Sequence, residues 1–328
     1  MRSLAELTTL RVGGTPNSLV VATSESEIIE AVSANPNALI LGGGSNVLVS
    51  DNFQGDVIKI ESQGFENDES ACAGAWVTVA AGHNWNDFVA TAVANGWTGI
   101  EGLAGIPGTV GATPIQNVGA YGQSVSETIA QVRAWNRKTK SVDTIFAADC
   151  EFGYRSSVFK AKPDTWVILS VTFQLPLGTM SAPIAYNELA AKLKVELGDR
   201  VSTSDLQTAV LELRAGKGMV LDSTDHDTWS VGSFFMNPRV TTAPENAPHW
   251  PEADGTVKVS AAWLIEQAGF NKGFTLNGRA ALSSKHTLAI TNRGDATSAD
   301  ISELADHIVA GVKAKFDIEL KPEATFIN

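Results

Sequence analysis

Hydrophobic and polar positions change period several times along the 328-residue chain, and each change marks an element. From Ser24 to Val32, a Ser24 and Glu27 pair precedes the apolar stripe Ile28, Ile29 and Val32, which predicts a helix opened by a capping box. Ala38-Leu39-Ile40-Leu41 is a short apolar strand that runs straight into Gly42-Gly43-Gly44-Ser45-Asn46. Val47-Leu48-Val49 and Val57-Ile58-Lys59-Ile60 read as further strands around a turn near Asn52 and Gly55, so the first ~60 residues are α/β. Ala75 to Ala80 alternates as a strand. Asn84 then caps a helix striped with Trp85, Phe88, Val89, Ala92 and Val93 and stopped by Asn95-Gly96.

Periodicity nearly vanishes from Gly99 to Gly122, where glycines crowd in. Strand-like runs return at Gln131–Trp135 and Trp166–Leu175. A helix is expected from Ser204, with Gln207 completing a capping box, and a shorter one over Ala261–Ala268, stopped by Gly269. Between them lies a Pro-rich connection from Pro238 to Pro251. The clearest helix is the last, with Thr297 and Ser298 as caps and Ile301, Leu304, Ala305, Ile308, Val309 and Val312 as its buried stripe. A strand over Phe316–Leu320 is expected next, then Lys321-Pro322-Glu323. There is no internal repeat.

Composition narrows the function classes. Lys plus Arg is 24 and Asp plus Glu 36, a net charge of −12, while hydrophobic residues make up 44% and charged ones 18%. That balance excludes a disordered acidic chain. It also argues against nucleic-acid binding, because an acidic surface repels phosphate backbones and no basic run with interleaved aromatics is present. An anionic ligand must then be met by a few local cations and backbone N–H groups. Cys72 and Cys150 stand far apart with no C-x-x-C, so neither a zinc knuckle nor a redox dithiol is expected, and two reduced thiols fit a cytoplasmic protein. The first sixteen residues lack a signal-peptide core, and no run reaches the ~18 apolar residues of a membrane helix. The histidines form no ligand cluster, so no metal site is expected, and no G-x-S-x-G elbow exists.

Five places carry candidate chemistry. Gly42-Gly43-Gly44-Ser45-Asn46 follows a strand, where glycines allow positive φ and close approach to a ligand, and successive N–H groups can form an anion nest. A mere tight turn reads equally well there. Gly102, Gly105, Gly108 and Gly111 recur every third residue and continue to Gly122, a composition that suits backbone wrapped around a flat apolar ligand with a phosphate tail; a packing loop is the alternative. Arg155 sits among Phe152, Tyr154 and Phe159, where a guanidinium held by aromatics suits a carboxylate, although an ordinary surface arginine looks the same. Ser233, in Gly232-Ser233-Phe234-Phe235, and Glu323, after Pro322, are by themselves a turn hydroxyl and a solvated acid.

Together and in this order these segments resemble one family, the UDP-N-acetylenolpyruvoylglucosamine reductases. The resemblance runs through Leu41 to Val49, Gly105 to Gly122, Tyr154-Arg155, Gly232 to Pro238 and Pro322-Glu323, and spans nearly the whole chain. It implies an α+β protein: an FAD-binding fold of two α/β subdomains, of the vanillyl-alcohol-oxidase-like (PCMH) type, plus a third α+β domain for the UDP-sugar. The expected division is 1–62, 63–203 and 204–315, with a strand near 316–328 returning to the first part. It implies non-covalent FAD, NADPH as electron donor, a cytoplasmic monomer, and no nucleic-acid or membrane partner. The substrate would be UDP-N-acetylglucosamine enolpyruvate, reduced at C3 by hydride from flavin N5 and protonated at C2 to give UDP-N-acetylmuramate, a peptidoglycan precursor.

Carried over residue by residue, the resemblance implies Arg155, Ser233 and Glu323 as the catalytic trio. FAD would be held by Leu41, Gly42, Gly43, Gly44, Ser45, Asn46, Val47 and Leu48, then by Ile106, Pro107, Gly108, Gly111, Ala112, Pro114, Ile115, Gln116, Asn117, Gly119, Ala120, Tyr121 and Gly122. Substrate contacts would come from Tyr154, Arg155, Lys217, Ser233, Asn237, His286 and Glu323, and from Tyr186 on a mobile substrate-covering loop. The residue types suit the reaction. Hydride addition at C3 pushes charge onto C2 and the carboxylate, where Arg155 lowers the barrier electrostatically. A buried, protonated Glu323 would do likewise. Ser233 would supply the proton at C2. Two other readings stand beside this one: a sugar or alcohol oxidase on the same fold, with flavin attached through His83, and a non-catalytic nucleotide-binding module that kept the glycine loops.

Overall fold

The computed structural model describes residues 2–328. In chain order its strands are β1 (Ser18–Ala22), β2 (Leu39–Leu41), β3 (Val47–Val49), β4 (Asp56–Ile60), β5 (Phe65–Ser70), β6 (Gly74–Ala80), β7 (Gly119–Ala120), β8 (Gln123–Ser124), β9 (Ile129–Asn136), β10 (Ser141–Phe146) and β11 (Trp166–Leu175). They continue as β12 (Arg239–Val240), β13 (His249–Pro251), β14 (Val257–Val259), β15 (Ala280–Leu282), β16 (Ile290–Asn292) and β17 (Thr325–Ile327). The helices are α1 (Glu25–Ala34), α2 (Trp85–Ala94), α3 (Val158–Ala161), α4 (Asn187–Leu193), α5 (Thr203–Gly216), α6 (Ala261–Gln267) and α7 (Ser298–Phe316). The chain divides into two units: one of 1–16, 44–54 and 216–328, the other of 17–43 and 55–215.

The unit of 17–43 and 55–215 holds two sheets. β1, β4 and β2 form a parallel sheet in the order β1-β4-β2, covered by α1. The second sheet is antiparallel, β10-β9-β11-β6-β5. Its middle strand β11 is buried at eight of its ten positions, as its mostly apolar run requires of a strand covered on both faces. The edge strand β5, Phe-Glu-Asn-Asp-Glu-Ser, is exposed throughout, and its charges protect a free edge from pairing. α2 lays Trp85 and Phe88 against Phe173 of β11, ring centroids 5.9 and 5.1 Å away. Arg133 of β9 holds Glu25 at the start of α1 in a forked pair, and Arg137 donates to the Ala38 carbonyl before β2 at 3.1 Å. Those two arginines tie the parallel sheet to the antiparallel one.

The unit of 1–16, 44–54 and 216–328 has its core between α6, α7 and the hairpin β15–β16: Leu264, Ile265, Leu282, Ile290, Ile301, Leu304, Ile308 and Val312, joined by Leu10, Val12, Leu48, Phe234 and Phe235. β12-β14-β13 is a small antiparallel sheet, and β17 pairs in parallel with β3. α7 opens as its sequence demands, with a reciprocal capping box between Thr297 and Asp300. Arg279 adds a 2.7 Å bond to Asp300, and these donors hold the buried carboxyl at about 2. Ser298 does not cap; its N–H and hydroxyl both reach Asp51 Oδ2 at 2.7 Å.

Several expected elements are corrected. No strand covers Phe316–Leu320: α7 runs to Phe316, Asp317 ends it in the left-handed region at φ +56°, and the terminal strand lies at β17. Glu27 does not close a box with Ser24, because its carboxylate bonds the Thr23 N–H and hydroxyl at 2.7 and 2.9 Å. The cap of α5 is not Ser204; Ser202 Oγ accepts the Asp205 N–H at 3.1 Å. β3 and β4 do flank the turn near Asn52, yet they belong to different sheets.

Candidate active site

In the unit of 17–43 and 55–215 the glycine segments meet backbone to backbone. A Cβ added at Gly43 would lie 2.5 Å from Gly108 Cα, and one at Gly42 would lie 2.7 Å from Thr109 Oγ1. Lys59 Nζ donates to the Gly42 carbonyl at 2.5 Å. The Gly105–Gly111 segment is fastened to the turn before α2: Trp85 N–H donates to Gly108 O, Val110 N–H to His83 O, and Gly111 N–H to Ala81 O. Main chain therefore abuts main chain at Gly43 and Gly108, and at Gly42 only the Thr109 hydroxyl comes between. That bare edge fits a dinucleotide's phosphates and flat ring, which need close backbone approach. Gly43→Ala is expected to push the walls apart and release FAD, read as a fall in flavin absorbance relative to protein after desalting.

His83 is a turn residue. Its Nδ1 accepts the Gly64 N–H at 3.3 Å, and burial pushes its pKa down, which favours the neutral ring. These bonds give it a structural task without flavin attachment.

Arg155 is set at the tip of a tight turn closed by mutual N–H to carbonyl bonds of Gly153 and Ser156, 3.0 and 3.3 Å long. Its φ of +52° lies in the left-handed region, a costly place for a residue with a side chain. Its Nη2 donates to the Gly119 carbonyl at 3.2 Å, and its Cζ stands 5.6 Å from the Tyr154 ring. Three more bonds stitch the same two segments. Ser157 Oγ donates to Ile115 O at 2.5 Å, Lys160 Nζ to Gln116 Oε1 at 3.3 Å, and Asn117 Nδ2 to Gly153 O at 3.1 Å. Lys160 Nζ also reaches the Arg155 carbonyl at 3.1 Å, which pins the turn from below. Residues 115–119 and 153–160 thus form one rigid piece. Tyr121 and Tyr186 stand beside it with ring centroids 6.2 Å apart.

In the other unit, Ser233 follows Gly232, whose φ of +75° makes the turn. Phe234 and Phe235 are fully buried behind it. Phe234 N–H donates to Leu288 O, and Phe234 O accepts the Glu323 N–H, both at 2.7 Å. Met236 N–H donates to Lys321 O at 2.9 Å, so Ser233 and Glu323, far apart in sequence, stand on adjacent backbone. His286, half-buried, lies two residues before Leu288. Asn237 spends its Oδ1 on the Ala261 N–H at the start of α6, at 2.9 Å. Asp227 organises the loop that leads to Ser233: it accepts from Ser284 N–H at 2.9 Å, from Ser284 Oγ at 2.5 Å and from Arg293 Nη1 at 2.8 Å. Against the cost of its burial, these donors hold its carboxyl below the usual range.

Sequence reading missed Asp227, Lys160 and Ser157. Ser157 and Lys160 lay inside the Phe152–Lys160 stretch around Arg155. Among the described residues, no group of three His, Cys, Asp or Glu could hold a metal ion, and no helix is long and apolar enough to cross a membrane. Cys72 is exposed, while burial pushes the Cys150 thiol up to about 12.

An α+β chain whose glycine walls suit a dinucleotide and whose cation is fixed beside them belongs to the class of FAD-binding oxidoreductases. Residues 16–144 match the family described as FAD binding domain, and residues 223–327 match the UDP-N-acetylenolpyruvoylglucosamine reductase C-terminal domain. Over 99% of this chain, the UDP-N-acetylenolpyruvoylglucosamine reductase of Cutibacterium acnes is 53% identical, with 89% of its own length covered; that of Salinispora arenicola is 48% identical, with 94% covered. The crystal structure of UDP-N-acetylenolpyruvylglucosamine reductase (MurB) from Thermus caldophilus superimposes with a TM-score of 0.69 at 23% identity, covering 100% of this chain and 98% of that one, and confirms the fold. The chain belongs to the UDP-N-acetylenolpyruvoylglucosamine reductase family. Its activity is the FAD-dependent, NADPH-driven reduction of UDP-N-acetylglucosamine enolpyruvate to UDP-N-acetylmuramate, a step of peptidoglycan precursor synthesis. The oxidase and non-catalytic readings are weaker.

Proposed function

We propose that Arg155, Ser233 and Glu323 are the residues of this chain that carry the reaction. Once reduced by NADPH, bound FAD would supply the hydride that adds to C3 of the enolpyruvyl group. Negative charge then grows on C2 and the adjoining carboxylate. Arg155 meets it with a guanidinium already fixed by Gly119 O, so no reorganisation is needed as charge develops. Ser233 gives its hydroxyl proton to C2, and Glu323, carrying a proton, donates a hydrogen bond to the substrate carboxylate. The observation that carries this reading is the pairing of the Ser233 turn with the Glu323 segment through Phe234 O and the Phe235–Pro322 bridge. A hydroxyl and a carboxyl chosen from distant motifs are thereby anchored to one scaffold.

The remaining roles belong to the same proposal. FAD is held by the residues named from the sequence from Leu41 to Leu48 and from Ile106 to Gly122, and substrate by Tyr154, Tyr186, Lys217, Asn237 and His286. The structure engages Asn237 through its oxygen, which leaves its amide N–H groups as the atoms to offer a phosphate. We assign FAD binding to 1–62 and 63–203, substrate binding to 204–315, and a cytoplasmic, monomeric state. The test separates the two half-reactions in stopped flow. NADPH is expected to bleach the flavin, and UDP-N-acetylglucosamine enolpyruvate to restore its colour. Purified protein that cannot be loaded with FAD, or that is reduced yet never reoxidised by this substrate, overturns the reading.

A further inference from the structure

The turn joining β7 to β8 is two residues long, Tyr121 and Gly122, with φ of +50° and +86°. Positive φ at both central positions is the requirement of a type I′ hairpin, and Asn-Gly is its usual filling. A bulky aromatic there persists only when its surroundings over-determine it, and such outliers gather where function needs them.

The surroundings are specific. The Tyr121 ring meets the Tyr186 ring edge-on at 63°. Gly122 presents bare backbone to the same partner: a Cβ there would lie 3.5 Å from Tyr186 Cε2 and from Ala185 Cβ. The Tyr186 carbonyl accepts the Leu189 and Ala190 N–H groups, so this tyrosine rides on the first turn of α4, and Ile184 anchors its segment in the core. Tyr186 itself is half exposed, at 50%. Burial, and after it the charge of Glu188 of α4, pushes the Tyr121 phenol's pKa up, while Arg214 of α5 pulls the other way. On β7, the strand that leads into Tyr121, the Gly119 carbonyl receives Arg155 Nη2.

Resting on the covering role proposed for Tyr186, we propose that the Tyr121-Gly122 turn is the seat on which that segment closes, and that Tyr121 is a positioning residue linking closure to the Arg155 guanidinium through the Gly119 carbonyl. The strained backbone aims the ring at the covering segment, and the strand behind it holds the cation. One hairpin then serves the lid and the charge it must shield from water.

The test uses the FAD-loaded enzyme. Tyr121→Asn installs the favoured Asn-Gly pair, so the turn keeps its shape while the ring is lost. KM for UDP-N-acetylglucosamine enolpyruvate is expected to rise roughly tenfold, a uniform-binding loss in which kcat falls less. Hydrogen exchange over residues 179–190, without substrate, is expected to quicken. Tyr121→Phe keeps the ring and is expected to retain the slow exchange over residues 179–190 that the asparagine variant loses. Combined with Tyr186→Leu, the asparagine variant should add little, because both changes remove one contact. An unchanged KM and exchange pattern in Tyr121→Asn, or fully additive effects, overturns the proposal. If Tyr186→Leu alone leaves KM untouched, the covering role falls instead, and the exchange experiment still decides whether the turn seats the segment.

Discussion

Ser233→Ala is expected to leave NADPH reduction of the flavin near its native rate and to slow reoxidation by the enolpyruvyl substrate on the order of 10³–10⁴-fold. The split follows from where the hydroxyl acts. Hydride arriving from NADPH needs no proton from this side chain, whereas the carbanion formed on the substrate must gain one at C2. Removing one oxygen from a half-buried turn leaves Gly232, Phe234 and Phe235 in place, so folding is expected to be unaffected. Stopped-flow flavin absorbance reads both half-reactions from one preparation. Equal loss in both would point to damaged FAD binding, and native reoxidation would remove Ser233 as proton donor.

Arg155→Gly is expected to lower the rate of substrate reduction on the order of 10²–10³-fold. It is also expected to hold or raise the thermal midpoint. The two signs part because Arg155 sits at φ +52°, where a side chain costs roughly 1–2 kcal/mol that glycine does not incur. A residue kept for packing would lose stability and activity together. Arg155→Lys is expected to restore little, since an ammonium has neither the planar fork that can hold Gly119 O and a carboxylate at once nor the same reach. Differential scanning calorimetry beside single-turnover rates checks the pair of outcomes. A midpoint that falls in Arg155→Gly while turnover is native contradicts the electrostatic role.

Much of this was legible because the chemistry sits in short, unusual strings. The apolar run of β11 and the capping box of α7 are local signals, and tertiary packing agrees with both. The glycine strings of 42–46 and 102–122 announced themselves through composition alone. Other features are set by partners distant in sequence. β5 has no apolar alternation, and pairing with β6 makes it a strand. The expected strand at Phe316–Leu320 had suitable residues, but α7 continues to Phe316 and Asp317 turns the chain. Ser157 and Asn117 look like ordinary turn residues until the carbonyls of Ile115 and Gly153 are brought opposite them. Nothing local distinguishes an asparagine in the left-handed region that braces a site from one that merely ends a turn.

The stitching of 115–119 to 153–160 distributes evolutionary freedom unevenly. Ile115 and Gly153 are read there only through main-chain oxygens, and Ile115 points 40% of its surface to solvent. The side chain at 115 can change, and one can be added at 153, without the partner noticing. Asn117 and Ser157 supply the reaching atoms and have no such licence, so variants lost at those two positions would mimic defects in Arg155 while touching no substrate.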